Sequence, residues 1–219
     1  MKLVIFGNGP FASLAWYWLS HDSPFTVAGF TVDRAHLRGA SHQGLPVVPF
    51  EAVEQHFDPN DHHIIIPIGP VQNNALRIER SAAAKAKGYS LANYLSSRAI
   101  VPLDLVLHEN TMIFEGAVIQ PFATIGQNVI VRSGAQISHH VTIGDDCFVA
   151  SGACIGGGAI IRERCFLGLN STVFNDIEVA VGCTIAAGAV MRRDAKQTGI
   201  YMGVPARLRG DRVRATDQV

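Results

Sequence analysis

Two adjacent histidines, His139 and His140, stand in the stretch ISHHVTIGDDCFVASGACIGGG (137–158), which ends on Gly156, Gly157 and Gly158. Imidazole titrates near neutral pH and can take a proton from an attacking amine or hydroxyl. A glycine leaves a backbone N–H with no side chain in the way, the kind of donor that stabilises the oxyanion of a tetrahedral intermediate. A base beside a bare amide is the minimum equipment for acyl transfer. Three other readings compete for the histidines: solvated corner residues, a structural hydrogen bond, or metal ligands.

The surrounding sequence must position these groups, and it does so by a strict beat. Stepping by six from Val101 reaches Leu107, Ile113, Ile119, Ile125, Val131, Ile137, Ile143, Val149, Ile155, Ile161, Leu167, Val173, Val179 and Ile185, aliphatic without exception. Four places after each stands a mostly small residue. A period of six fits neither a helix face nor simple strand alternation, and fixed-period self-similarity marks a solenoid. Hexapeptide repeats build a parallel β-helix in which three hexads make one coil, so the fifteen hexads predict five coils without loop insertions. Each aliphatic points inward onto its counterpart one coil away, and the small position follows from the little room left inside. Cys147, Cys165 and Cys183 occupy that small position and read as core packing; with Cys154 they lack CxxC spacing, which argues against a zinc site or a disulfide framework.

Stacking brings chemistry together. Residues one coil apart lie about 4.8 Å apart, so Gly157 is expected directly beside His139, among three exposed glycine amides. The other histidine of the coils, His108, falls nearly two coils away, which disfavours a metal site within the prism. The geometry favours the general-base reading of His139, with His140 in an orienting role.

This repeat resembles the left-handed β-helix of hexapeptide acyltransferases. The resemblance, not the periodicity, implies left-handed coils, a homotrimer, and acyl-coenzyme A in a groove between neighbouring prisms.

The first hundred residues read differently. LVIFG (3–7), FTVAGFTVD (25–33) and HHIIIPIG (62–69) predict parallel strands. FASLAWYWLS (11–20), PFEAVEQHF (49–57) and NNALRIERSAAAKAKG (73–88) predict helices. The alternation predicts a small parallel α/β, Rossmann-like domain over 1–97, followed by the β-helix and its tail over 98–219. GNGPFA (7–12) is a loose version of a dinucleotide fingerprint. Asp33 and Gly69 end the second and third predicted strands at the same carboxyl edge, where open parallel sheets bind ligands.

The whole layout, closed by a GVPAR segment (203–207), resembles bacterial nucleotide-amino-sugar N-acetyltransferases, grouped with sialic-acid O-acetyltransferases of glycan biosynthesis. The resemblance implies acetyl-coenzyme A as cosubstrate, a UDP-, GDP- or dTDP-linked 4-amino-4,6-dideoxy sugar as acceptor, and no metal. By the same resemblance Gly7, Gly9, Asp33 and Gly69 match nucleotide-contacting positions, and Phe11 stands where relatives often place His. His139 matches the base, and Gly157 the glycine whose amide lies near the thioester. Phe148, Leu169 and Ala187 match coenzyme contacts, and Arg207 lies in the loop near the adenine end. Relatives usually place Glu or Asp after the catalytic histidine; this chain has His140. Two rival readings use the same motifs: a sialic-acid type O-acetyltransferase, and a non-catalytic nucleotide-sugar-binding scaffold.

Composition limits the alternatives. The 219 residues carry 18 Lys+Arg against 18 Asp+Glu, a formal net charge of zero, which argues against a nucleic-acid partner. Arg192, Arg193, Lys196, Arg207 and Arg209 form a local basic cluster past the last coil, suited to coenzyme phosphates. The short apolar start MKLVIFGNGP is too brief for a signal peptide or a membrane span, so a cytoplasmic protein is expected.

Overall fold

The computed structural model describes residues 1–210; the last tail residues, 211–219, lie outside the described part of the predicted second domain. Leu3, Val4 and Ile5 are wholly buried, as a strand covered on both faces requires. They belong to β1 (Lys2–Phe6), followed by α1 (Pro10–His21), β2 (Thr26–Val32), β3 (Ser41–His42), β4 (Leu45–Pro49), β5 (His62–Ile65) and α2 (Ala75–Ala86). The sheet order is β3-β4-β2-β1-β5, parallel except for the β3–β4 hairpin. β4 and its hairpin partner are absent from the sequence reading, because prolines at 46 and 49 disguise a five-residue strand. The helix predicted over 49–57 is a 3₁₀ stretch, Phe50–Gln55, broken at Ala52, where φ is −126°. β5 ends at Ile65, so Gly69 lies beyond the strand end rather than on it.

From Met112 the chain winds into three parallel sheets whose two-residue strands recur coil after coil. The first sheet runs through Ile130, Phe148, Phe166 and Thr184, the second through Gln136 and Cys154, and the third through Thr142 and Ile160. The inward aliphatics from Ile113 to Ile185 are all buried, each side chain being worth about 1.5–3 kcal/mol against exposure. Five coils are present, and ahead of their predicted start Tyr94–Leu95 already pairs in parallel with Met112–Ile113. The Val101 and Leu107 hexads form no strand, only an isolated bridge from Ile100 to Val118, and Leu103 is fully exposed. At the far end the beat runs one step further, to buried Met191. Ile200–Met202 then pairs antiparallel with Arg207–Gly210 and caps the prism.

Each coil turns three corners, and the second residue of each turn is left-handed: Phe122, His140, Gly158 and Asp176 have φ of 67°, 59°, 71° and 57° along one edge. Cys147, Cys165 and Cys183 stack in one buried column, each Sγ donating to a carbonyl. Cys154 is on the exposed outer face of the second sheet.

The α/β unit lies against the first sheet. Leu3, Ile5, Phe30 and α1 share one buried cluster with Met112, Phe114, Ile130, Phe148 and Phe166. Beside this contact, over the Phe148 ring, α2 inserts Arg77, fully buried, with its guanidinium donating to the carbonyls of Ile68, Asn128, Asp146 and Cys147. Burial draws its pKa down to about 10, opposed by nearby Asp146. No helix among the described residues is long and apolar enough to cross a membrane.

Candidate active site

His139 and His140 follow the strand Gln136–Ile137 at the corner between the second and third sheets. His139 is held from below, its N–H donating to Gln120 Oε1 at 3.0 Å. Its ring lies over Gly157: a Cβ there would fall 2.6 Å from Cε1 and 2.9 Å from Nε2. That is why this position is glycine. Asn175 and Asp176 lean in the same way over Gly156 and Gly158 from the next coil. The expected trio of exposed amides narrows to one. Gly156 N–H donates to Val173 O and Gly158 N–H to His139 O, while Gly157 N–H has no partner among the described residues. Gly157 is itself buried, covered by the imidazole.

The Nδ1 atoms of His139 and His140 are 3.1 Å apart. One must donate and the other accept. If His140 Nδ1 accepts, His139 carries its proton on Nδ1 and presents an unprotonated Nε2, the tautomer a general base needs. His140 thereby stands where a carboxylate is usual, with its ring backed by Phe122 at 4.9 Å between centroids. Gln120 and Phe122 went unread in the sequence, although each sits about one coil before the histidine it touches. Among the described residues no three His, Cys, Asp or Glu side chains converge on a metal-sized point.

The glycine turn after β1 opens a separate cleft of about 430 Å³ between Gly7, Gly9, Phe11, Asp33, Ile68 and Arg80. Gly7 takes φ of 109°, and its N–H donates to Thr31 O, tying the turn to β2. Asp33 is already engaged, its Oδ2 accepting from Arg80 Nε and Nη2, each at 3.1 Å. Only Oδ1 remains for a ligand. Gly69 does not line this cleft; Pro67 and Ile68 do so in its place, because the strand ends early. Arg80 and His36 are cleft residues the sequence reading missed. Phe11 faces the coils, packing on Phe114 and Phe148.

The expected coenzyme residues divide. Leu169, 49% exposed, and Ala187, also exposed, stand one coil apart at the corner between the first and second sheets. Phe148 is 7% exposed, wedged between Phe11 and Phe166 beneath Arg77. Its ring is packed between the α/β unit and the first sheet. Arg207 and Arg209 are exposed on the capping hairpin. Leu169 and Ala187 thus mark one corner of the prism, and the cleft is lined wholly by the α/β unit. His139, His140 and Gly157 lie one full face away, roughly 20 Å for six residues of strand and turn.

The family profile "Bacterial transferase hexapeptide (six repeats)" matches residues 104–139 and 122–157. Among curated proteins no match is found. Among solved structures, a mutant GDP-perosamine N-acetyl transferase from Caulobacter crescentus, in complex with CoA and GDP-perosamine, superposes with a TM-score of 0.86 at 26% identity, covering 96% of this chain and 98% of that one. The acetyltransferase domain of PglB from Neisseria gonorrhoeae, in complex with acetyl coenzyme A, gives 0.82 at 23% identity, covering 94% and 98%. Its likeness is one of fold. AntD, an N-acyltransferase from Bacillus cereus, covers 63% of this chain at 16% identity with a TM-score of 0.51. The coils are those of a left-handed parallel β-helix joined to a small α/β domain, and the bacterial transferase hexapeptide repeat matched by the profile lies within those coils.

Proposed function

We propose that this protein is a hexapeptide-repeat acyltransferase that moves the acetyl group of acetyl-coenzyme A to the amine of a nucleotide-linked 4-amino-4,6-dideoxy sugar. The observation that carries the reading is the His139 ring, laid over Gly157, whose N–H has no partner among the described residues, with His139 Nδ1 paired to His140 Nδ1 and Nε2 unpartnered among the same residues. The GDP-perosamine enzyme that this chain resembles along nearly its whole length supports the substrate class.

In this reading the sugar amine attacks the thioester carbonyl directly, and His139 Nε2 takes the proton that the nitrogen sheds. The Gly157 N–H donates to the oxyanion as it forms. Collapse breaks the carbon–sulfur bond, and the imidazolium returns its proton to the leaving thiolate. His140 accepts from His139 Nδ1–H throughout, holding the tautomer. No cysteine takes part: Cys147, Cys165 and Cys183 are buried, and burial pushes the Cys183 thiol up to about 12.

Exposed Leu169 and Ala187 offer an apolar edge one coil long for the coenzyme's pantetheine arm, with Arg207 and Arg209 toward its phosphates. Because cleft and base occupy different faces, the working unit is a homotrimer in which one protomer's His139 meets the ligands held by its neighbour. Half-exposed Phe174, beside the His139 corner, and exposed Phe122 suit such a contact. The division of the chain near residue 97 into a nucleotide-sugar domain and a transferase domain follows the same logic.

The test is a panel of UDP-, GDP- and dTDP-4-amino sugars incubated with acetyl-coenzyme A and followed by thiol release. Stoichiometric thiol and N-acetyl product with one nucleotide series is expected. Release only with hydroxyl acceptors makes the enzyme an O-acetyltransferase, and binding of sugar nucleotide without thiol release makes it a scaffold.

A further inference from the structure

Arg77, Arg80 and Arg132 are three of the arginines at or near the seam between the α/β unit and the first sheet. Arg77 is satisfied, donating to four carbonyls and to Asn74 Oδ1. Arg80 is closed on Asp33. Arg132 is neither. Its guanidinium carbon lies 4.7 Å from the centre of the Phe11 ring and 4.8 Å from that of Phe114, and its side chain is partly buried. Among the described residues no acceptor takes any of its guanidinium N–H groups.

The two rings, 6.0 Å apart, form a notch that fixes the guanidinium by cation–π attraction. Aromatic faces hold the plane but leave its N–H edges unsatisfied. A guanidinium so placed is preorganised and short of an anion. The acid that bears on it, Glu115, accepts from Ser133 through Oε1, keeps Oε2 buried without a partner, and forms no ion pair with Arg132.

Phe11 connects this cation to the ligand site. It walls the nucleotide cleft and belongs to the first turn of α1, directly after the glycine turn. That helix begins at Gly9 with no side-chain cap and no acidic residue in its first turn, so the positive end of its dipole adds to the field of Arg132. The geometry points to Arg132 as the residue that takes the diphosphate of the nucleotide-linked sugar, with Phe11 and Phe114 as the aromatic jaws that hold it in place. This inference rests on the nucleotide-sugar reading above. It also gives Phe11 a role at a position where related chains often carry histidine: the phenyl ring positions a charge instead of supplying one. Guanidinium and phosphate pair as a two-pronged, charge-assisted contact that lysine reproduces only as a point charge.

Acetyl-coenzyme A carries phosphates too, so the experiment must separate the two sources. GDP, UDP, dTDP, their nucleosides and coenzyme A are titrated calorimetrically into the wild-type chain and into Arg132→Gln and Arg132→Lys. The wild type should bind one nucleoside diphosphate well above its nucleoside. Arg132→Gln should remove about 10- to 100-fold of that diphosphate increment, Arg132→Lys should retain part of it, and affinity for the nucleoside and for coenzyme A should stay unchanged. An intact diphosphate increment in Arg132→Gln overturns the inference, and so does a loss confined to coenzyme A. Should Arg132→Gln unfold, Arg132→Lys, checked by thermal denaturation, carries the test: an undiminished increment there likewise overturns it. If the wild type binds none of the three diphosphates, the nucleotide-sugar reading itself fails, an outcome distinct from loss of the Arg132 contribution.

Discussion

Gly157→Ala tests whether the imidazole seen over that glycine is the working base. The added methyl would stand 2.6 Å from His139 Cε1, 2.9 Å from Nε2 and 3.1 Å from Nδ1. Ordinary carbon contacts are about 3.5–4.0 Å, so the ring must retreat by roughly 1 Å. Displacement of a catalytic group by that much costs on the order of 100-fold in rate, about 2.7 kcal/mol of barrier. The fold should barely notice. Gly157 is not among the left-handed positions, and the exposed His139 ring can swing toward solvent. Steady-state thiol release should therefore show kcat down about 100-fold with the melting temperature within a few degrees of wild type. Gly158→Ala is the control, since it forces alanine to φ of 71°, a strain of about 1–2 kcal/mol, without touching the imidazole. It should lower stability and spare kcat. If Gly157→Ala keeps kcat within about twofold, the ring's position over the glycine has no catalytic meaning.

His140→Ala should lower kcat about tenfold with KM unchanged, and His140→Glu should restore most of it because a carboxylate also accepts from His139 Nδ1–H; failure of that rescue removes the orienting role. Asp33→Ala should raise KM for the sugar nucleotide about tenfold, by losing Oδ1 and freeing Arg80, while coenzyme A affinity measured by calorimetry stays constant. Asp22 accepts from Tyr94 OH, Ser96 Oγ and Ser97 N–H, pinning the end of α1 to the first coil. Partial burial pushes its carboxyl up, but these hydrogen bonds outweigh that and hold it below the usual range. Its contribution is thus present above the unfolded pKa of about 3.9 and lost as pH falls through the lower folded value. Asp22→Asn should cost roughly 2–4 °C in melting temperature at neutral pH, a deficit that vanishes in strong acid; an equal deficit at both pH values contradicts this assignment.

The β-helix was legible because a solenoid repeats one local rule, an inward aliphatic every six residues, and no distant contact can override it. The contact of His139 with Gly157 was legible for the same reason, since stacking converts sequence spacing into distance. The docking face of the α/β unit was also written in the repeat, though in the outward positions. Those of the first sheet are Met112, Ile130, Phe148 and Phe166, an unbroken run of large apolar side chains, whereas the second carries Val118, Gln136, Cys154 and Thr172 and the third Thr124, Thr142, Ile160 and Glu178. That run on one face of three marks the covered side, and read that way Phe148 belongs to packing. The Val101 and Leu107 steps keep the aliphatic beat and pack on the coil core but form no strand, being at the end of the stack with a neighbouring coil on one side only. The Asp33–Arg80 pair and the Arg132 notch join residues far apart in the chain and follow no period, so only the folded chain displays them.

The most direct test of the central claim is the single-turnover rate of His139→Ala with saturating acetyl-coenzyme A and sugar nucleotide. The account predicts a fall of about two to four orders of magnitude, with both ligands still bound at near wild-type affinity. Acetyl transfer at the wild-type rate by a folded His139→Ala protein would contradict it.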